Sequence, residues 1–162
     1  MSLVLLIGAS SSGKSTFARR HFRATEVISS DACRALAADD ENAMDASREA
    51  FEILGVIASV RMRLQHTTVI DATNAQKPSR RPLLDLARAN DVPAIAVVFD
   101  LPEKVLLERS GSRSDRRLAR HVVATQRRLV EESLDHLRRE GFRSVHLLRS
   151  VEDVDMVRVE RQ

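Results

Sequence analysis

The sequence predicts an α/β architecture, a central parallel sheet of five strands flanked by helices. Three observations predict it. Short apolar runs alternate with longer helical patterns, the arrangement that parallel strands joined by helical crossovers require. The first run, Leu3-Val4-Leu5-Leu6-Ile7, leads straight into Gly8-Ala9-Ser10-Ser11-Ser12-Gly13-Lys14-Ser15, a glycine-spaced loop that opens a helix. Finally, 162 residues can bury a real core but leave no room for a second one, so residues 1–162 read as one domain.

In chain order, strands are expected over residues 3–7, 26–29, 67–71, 94–99 and 144–148. The loop after the first strand continues into Lys14-Ser15-Thr16-Phe17-Ala18-Arg19-Arg20, a plausible helix. A second helix follows Ser29-Ser30-Asp31, and Asp39-Asp40-Glu41-Asn42 reads as a solvated acidic loop behind it. Ile53, Ile57, Val60 and Leu64 repeat at helical spacing, as do Leu118, Val122, Thr125 and Leu129, and both stripes are expected to face the core. Pro82 falls early in a helix beginning near Ser79 or Arg80. Gly111 breaks the helical pattern after the fourth strand, and Gly141 closes a long helix that starts around Asp115.

Composition excludes several functions. The longest apolar runs, such as Ala94-Ile95-Ala96-Val97-Val98-Phe99, fall far short of a membrane span, and no secretory signal precedes the first strand, so a cytoplasmic, membrane-free protein is expected. Cys33 is the single cysteine, and the five histidines lack metal-ligand spacing. Tyrosine and tryptophan are absent, which argues against an aromatic base-stacking platform. Lysine occurs only at Lys14, Lys77 and Lys104 among 26 basic residues. Arginine binds phosphate bidentately, so this bias suits an anionic substrate, although a genome rich in arginine codons gives the same bias.

The spacing G-x-x-x-x-G-K-[ST] has a mechanical basis. Its glycines let the backbone wrap an anion so that successive N–H groups point inward, and the helix behind it adds a favourable dipole. Lys14 can reach the β- and γ-phosphates of a nucleotide, and the Ser15 hydroxyl can ligate Mg²⁺ between them.

Ligands of an open parallel sheet bind beyond the carboxyl ends of the strands, which singles out three further segments. After the second strand, Asp31 or Ser30 could simply cap a helix. Beside the phosphate loop, however, the Asp31 carboxylate could accept a proton from an attacking hydroxyl, and Arg34, on the same helix face, could hold a phosphate next to it. After the third strand, Asp71-Ala72-Thr73-Asn74 is either a strand-ending turn or a set in which Thr73 or Asn74 meets the acceptor and Asp71 supports Mg²⁺ or the loop. After the fourth strand, Glu108-Arg109-Ser110-Gly111-Ser112-Arg113-Ser114-Asp115 reads either as a solvated helix face or as a lid whose arginines close over a transferring phosphoryl group.

These segments, with Leu101-Pro102-Glu103-Lys104-Val105, together resemble the 5′-OH polynucleotide kinase module of bacterial polynucleotide kinase-phosphatase, an RNA-repair protein of the P-loop phosphotransferase superfamily. The resemblance covers nearly the whole chain. It implies a P-loop kinase fold with an arginine-bearing lid, ATP or another NTP as donor, Mg²⁺, and the 5′-hydroxyl end of RNA or DNA as acceptor. By position it implies that Gly8, Ser10, Ser11, Ser12, Gly13, Lys14, Ser15 and Thr16 hold the nucleotide, with Ser15 on Mg²⁺. Asp31 becomes the general base and Arg34 the clamp on the phosphate beside the 5′-hydroxyl. Thr73 and Asn74 become acceptor contacts, and Arg109 and Arg113 the lid arginines. It further implies a monomeric module of a longer protein, with phosphatase and ligase-like domains in cis and an RNA 3′-end methyltransferase as partner. A small-molecule kinase of the same fold, acting on a metabolite or nucleoside hydroxyl, is the alternative. No Asn-Lys-x-Asp guanine signature is present, since Asn74-Ala75-Gln76-Lys77 does not match it.

Overall fold

The computed structural model describes residues 1–112 and 119–160. Five apolar runs form strands β1 (Leu3–Gly8), β2 (Val27–Ser29), β3 (Thr68–Asp71), β4 (Ala94–Phe99) and β5 (Ser144–Leu148). All pair in parallel in the order β2-β3-β1-β4-β5, so β1 is central and β2 is an edge. Register aligns Leu6 with Asp71, Asp71 with Ser29, and Gly8 with Phe99, which brings every carboxyl end to one rim.

Side-chain alternation along β1 divides the core. Leu3, Leu5 and Ile7 face a large cluster that includes Leu54, Leu83, Val130 and Leu137 from the helices α3 (Ser47–Arg63), α4 (Lys77–Ala89) and α6 (Arg120–Leu137). Val4 and Leu6 face Phe17 and Ala18 of α1 (Lys14–His21), with Val154 of α7 (Val151–Met156) and Val157 and Val159 packed alongside. The remaining helices, α2 (Ser30–Ala38) and α5 (Glu103–Ser112), follow β2 and β4 at the rim. None of the described helices is long and apolar enough to cross a membrane.

The strands match the expected positions to within a residue, but the two helical stripes do not carry the core. On α3 the buried residues are Ala50, Leu54, Ala58 and Met62, whereas Ile57, Val60 and Leu64 are 37%, 39% and 62% exposed and Ile53 is half-buried. The helix is apolar on two faces, and it is the face with two alanines that packs inward, where small side chains allow close approach. On α6 the buried set is Val123, Val130, Ser133 and Leu137; Thr125 is exposed, Val122 and Leu129 are half-buried, and Leu118 lies outside the described residues. Leu54→Ala is therefore expected to cost about 2–5 kcal/mol. Val60→Ala should stay within about 0.5 kcal/mol, as urea denaturation of both variants will show.

Three helix boundaries also shift. Helix α4 begins at Lys77, ahead of the expected Ser79 or Arg80, with Pro78 in its first turn; Pro82 sits inside, where the bond it cannot donate would go to the carbonyl of Pro78. Helix α5 runs through Gly111 to Ser112, so this glycine does not end it: an exposed glycine costs a helix about 1 kcal/mol, too little to break one. Helix α6 ends at Leu137, and Gly141, at φ 105°, serves the turn into β5 instead; the expected start near Asp115 lies outside the described residues.

Candidate active site

Between β1 and α1 the chain wraps tightly. A Cβ on Gly8 would lie 2.8 Å from Ser12 Oγ and 2.9 Å from Phe99 Cβ, so glycine is needed for the close approach. Ser11 (φ 67°) and Gly13 (φ 97°) adopt left-handed conformations that turn the loop back on itself. Lys14 is buried, and its Nζ donates to the carbonyls of Gly8 and Ala9 at 2.8 Å each and to Ser12 Oγ at 3.4 Å. The ammonium is thus held over the cradle that the loop forms.

A groove of about 1190 Å³ opens from this loop along the rim. Ser10, Ser11, Gly13, Lys14, Ser15 and Thr16 line it from the loop and the start of α1, and Asp31, Arg34, Asp71, Thr73 and Arg109 complete its wall. Three of the predicted residues among those described, Gly8, Ser12 and Asn74, are not on that wall. Ser12 is fully buried beneath the loop, and Asn74 is 1% exposed with its side chain turned into the fold.

At the end of β2, Ser29 caps α2 by accepting from the Ala32 N–H at 3.4 Å. Neither Asp31 nor Ser30 is therefore the cap, and the Asp31 carboxylate is left to the groove. It forms an ion pair with Arg34, one turn along. The Arg34 side chain is 7% exposed and is oriented by two further acceptors: Ser47 Oγ at 3.3 Å from Nε, and the Glu41 carbonyl at 3.1 Å from Nη1. The acidic loop read as merely solvated thus supplies a backbone acceptor that aims this guanidinium.

At the end of β3, Asp71 is 7% exposed and lines the groove. The Thr73 carbonyl accepts the Gly8 N–H at 3.0 Å, tying the loop after β3 to the first glycine of the phosphate loop. Asn74, at φ 47°, donates from Nδ2 to the Leu6 carbonyl at 2.8 Å, so its side chain braces β1.

Arg109 reaches back from α5. Its Nη1 donates to the Ser12 carbonyl at 3.3 Å and lies 3.2 Å from where a Gly13 Cβ would stand, so the guanidinium rests close against the loop. Arg113 lies outside the described residues. Sequence reasoning missed Gln126 on α6, whose Oε1 accepts the Ser10 N–H at 2.8 Å. No local pattern marks a glutamine 116 residues from its partner. On the groove's flank, His21 packs its ring on Phe17 with centroids 4.4 Å apart. Burial, and then the neighbouring Arg20 cation, push its pKa down.

Hard oxygen ligands suited to Mg²⁺ are present in the Ser15 hydroxyl and the Asp71 carboxylate. Among the described residues no cluster of three or more His, Cys, Asp or Glu could bind a metal alone. The groove therefore fits an ion brought in and mainly coordinated by phosphate oxygens, not a dedicated protein cage.

Solved structures share this architecture. The gluconokinase of Sinorhizobium meliloti 1021 is similar with a TM-score of 0.59 and 16% identity, covering 95% of this chain and 85% of that one. A chain of the Pnkp1/Rnl/Hen1 RNA repair complex is similar with a TM-score of 0.68 and 22% identity, covering 83% of this chain but only 45% of that one. The APS kinase CysC of Mycobacterium tuberculosis, solved with AMPPNP and APS, is similar with a TM-score of 0.54 and 21% identity, covering 68% and 69%. No curated protein matches the chain. The fold is that of the P-loop kinases. Residues 3–134, from β1 into α6, match the family model AAA_33, described as an AAA domain, and the chain belongs to that family.

Proposed function

We propose that this protein is a polynucleotide 5′-hydroxyl kinase, transferring the γ-phosphate of ATP or another NTP to the 5′-OH end of RNA or DNA in nucleic-acid repair. The observation that carries this reading is the Asp31–Arg34 pair at the start of α2, on the groove wall that begins at the phosphate loop. A carboxylate for a hydroxyl proton beside a buried, pre-aimed guanidinium describes an acceptor bearing both a hydroxyl and an anionic group. The likeness to a chain of an RNA repair complex supports the same choice. On this reading residues 1–162 form a monomeric kinase module of a longer cytoplasmic protein, with phosphatase and ligase-like domains in cis and an RNA 3′-end methyltransferase as partner.

In the proposed reaction the acceptor's 5′-oxygen attacks the γ-phosphorus in line while Asp31 takes its proton. The bond from phosphorus to the β–γ bridging oxygen breaks, and its electron pair leaves with the nucleoside diphosphate. Lys14 exchanges its loop carbonyls for β- and γ-phosphate oxygens, and Arg109, already on the loop, offsets charge on the transferring group; Arg113 is assigned the same task. Ser15, with Asp71 behind it, would hold Mg²⁺, which neutralises phosphate charge when bound. Arg34 binds the phosphate next to the 5′-hydroxyl, and Thr73 flanks it.

The likeness to gluconokinase, over 95% of the chain, favours one other reading, a small-molecule kinase. Transfer of labelled phosphate from ATP and Mg²⁺ to a 5′-OH oligonucleotide or to gluconate separates the two. Transfer to the oligonucleotide is expected, and transfer to gluconate alone would overturn the proposal. A charge-assisted hydrogen bond contributes about 1.5–3 kcal/mol, so Arg34→Ala should raise the acceptor KM by about tenfold or more, leaving the ATP KM nearly unchanged.

A further inference from the structure

Beneath the acceptor side of the groove lies a charged side chain with no part in the chemistry above. Arg80, on α4, is 0% exposed. Its Nε and Nη2 donate to both carboxylate oxygens of Glu140, at 2.8 and 2.6 Å, in the turn after α6. Its Nη1 donates to the carbonyls of Asn74 and Ala75 at 2.8 Å each. Ser133 Oγ on α6 donates to the same Ala75 carbonyl at 2.5 Å. Arg80, from the helix that follows this loop, and Ser133, 58 residues beyond it, thus converge on two consecutive peptide carbonyls, those of Asn74 and Ala75, with Glu140 acting through Arg80.

We infer that Arg80, oriented by Glu140 and seconded by Ser133, is a positioning residue that fixes the loop carrying Thr73 against the phosphate loop, and so sets where the acceptor hydroxyl stands. This inference rests on the polynucleotide kinase reading. A buried ion pair is a poor source of stability compared with apolar side chains of the same volume, and its best-attested use is to select one conformation. The loop here needs selecting. Asn74 holds a left-handed φ of 47° that costs a non-glycine residue energy, and its Oδ1 is buried without a hydrogen-bond partner. The same few residues are anchored to β1 through Gly8 N–H to the Thr73 carbonyl (3.0 Å) and Asn74 Nδ2 to the Leu6 carbonyl (2.8 Å). Arg80 grips the loop from below while β1 grips it from the side, so Thr73 has one place to be. Lysine cannot substitute, because a single ammonium cannot span a bidentate carboxylate and two carbonyls at once.

The test compares Arg80→Lys and Ser133→Ala with the wild-type protein for labelled-phosphate transfer to a 5′-OH oligonucleotide, ATP dissociation constant and urea midpoint. Arg80→Lys is expected to lower kcat/KM for the acceptor by about tenfold to a hundredfold, since small misplacements of a reacting group have effects of that size. Ser133→Ala should do the same more weakly, and ATP should bind both variants as tightly as the wild type. Equal weakening of both substrates in step with lost stability, or an unchanged acceptor kcat/KM, would overturn the inference while leaving the kinase reading intact. No transfer by the wild-type protein would overturn that reading and this inference with it. If Arg80→Lys fails to fold, Ser133→Ala, which leaves the ion pair in place, decides alone.

Discussion

Asp31→Asn is expected to lower phosphoryl transfer by about 10²–10⁴-fold, the range that a positioned general base contributes. Asparagine has nearly the same shape, and Ser29 rather than Asp31 caps α2, so the helix should form unchanged. The variant keeps an amide oxygen for Arg34 but has no group that can accept the acceptor's proton. On the proposed reading ATP is held elsewhere, by the loop from Ser10 to Thr16 and by Arg109, so its dissociation constant should move by no more than about twofold. Rapid-quench transfer and equilibrium ATP binding, measured on the same preparation, check both halves. Retained transfer would remove Asp31 from the chemistry, and lost ATP affinity would show that it belongs to the donor side.

The largest expected stability effect lies far from that chemistry. Glu140→Ala leaves the Arg80 guanidinium buried and uncompensated, a change that typically costs about 3–5 kcal/mol. Both side chains are nearly inaccessible in the native fold, at 1% and 3% exposed, so the guanidinium loses its counter-ion in a largely desolvated place. Urea denaturation should show the loss as a lower midpoint at unchanged slope. The double variant Arg80→Met/Glu140→Leu should recover most of it, because matched apolar side chains often equal a buried pair. Its acceptor kcat/KM should nonetheless stay low, separating what the pair does for the fold from what it does for the loop.

The strands were legible because each is a continuous apolar run bounded by polar or glycine-rich sequence, the pattern of a sheet buried on both faces. The phosphate loop was legible because its function constrains neighbouring residues, so spacing alone identifies it. Helix phase was not. Helix α3 offers Ile53-Ile57-Val60-Leu64 and Ala50-Leu54-Ala58-Met62 as competing stripes, and hydrophobicity favours the first. The choice is made by how closely the helix must approach its neighbours, which is a tertiary quantity. The same limit hid Arg80 and Glu140, 60 residues apart and ordinary surface residues on composition alone. It also hid the division of labour within Thr73-Asn74: one faces the groove, the other braces β1, and adjacent positions in a sequence do not reveal which.

Strand β2 is three residues long, pairs on one side only, and sits at the outer edge of the sheet, whereas the phosphate loop grows from the central strand. Asp31 and Arg34, the proposed base and acceptor clamp, therefore stand just beyond the part of the sheet with the fewest commitments. On that reading, insertions, exchanges of α2, or a rebuilt acidic loop would alter the guest while β1 and β4 keep the phosphate loop where it was. A lineage with this plan can change its acceptor without relearning how to handle a nucleotide.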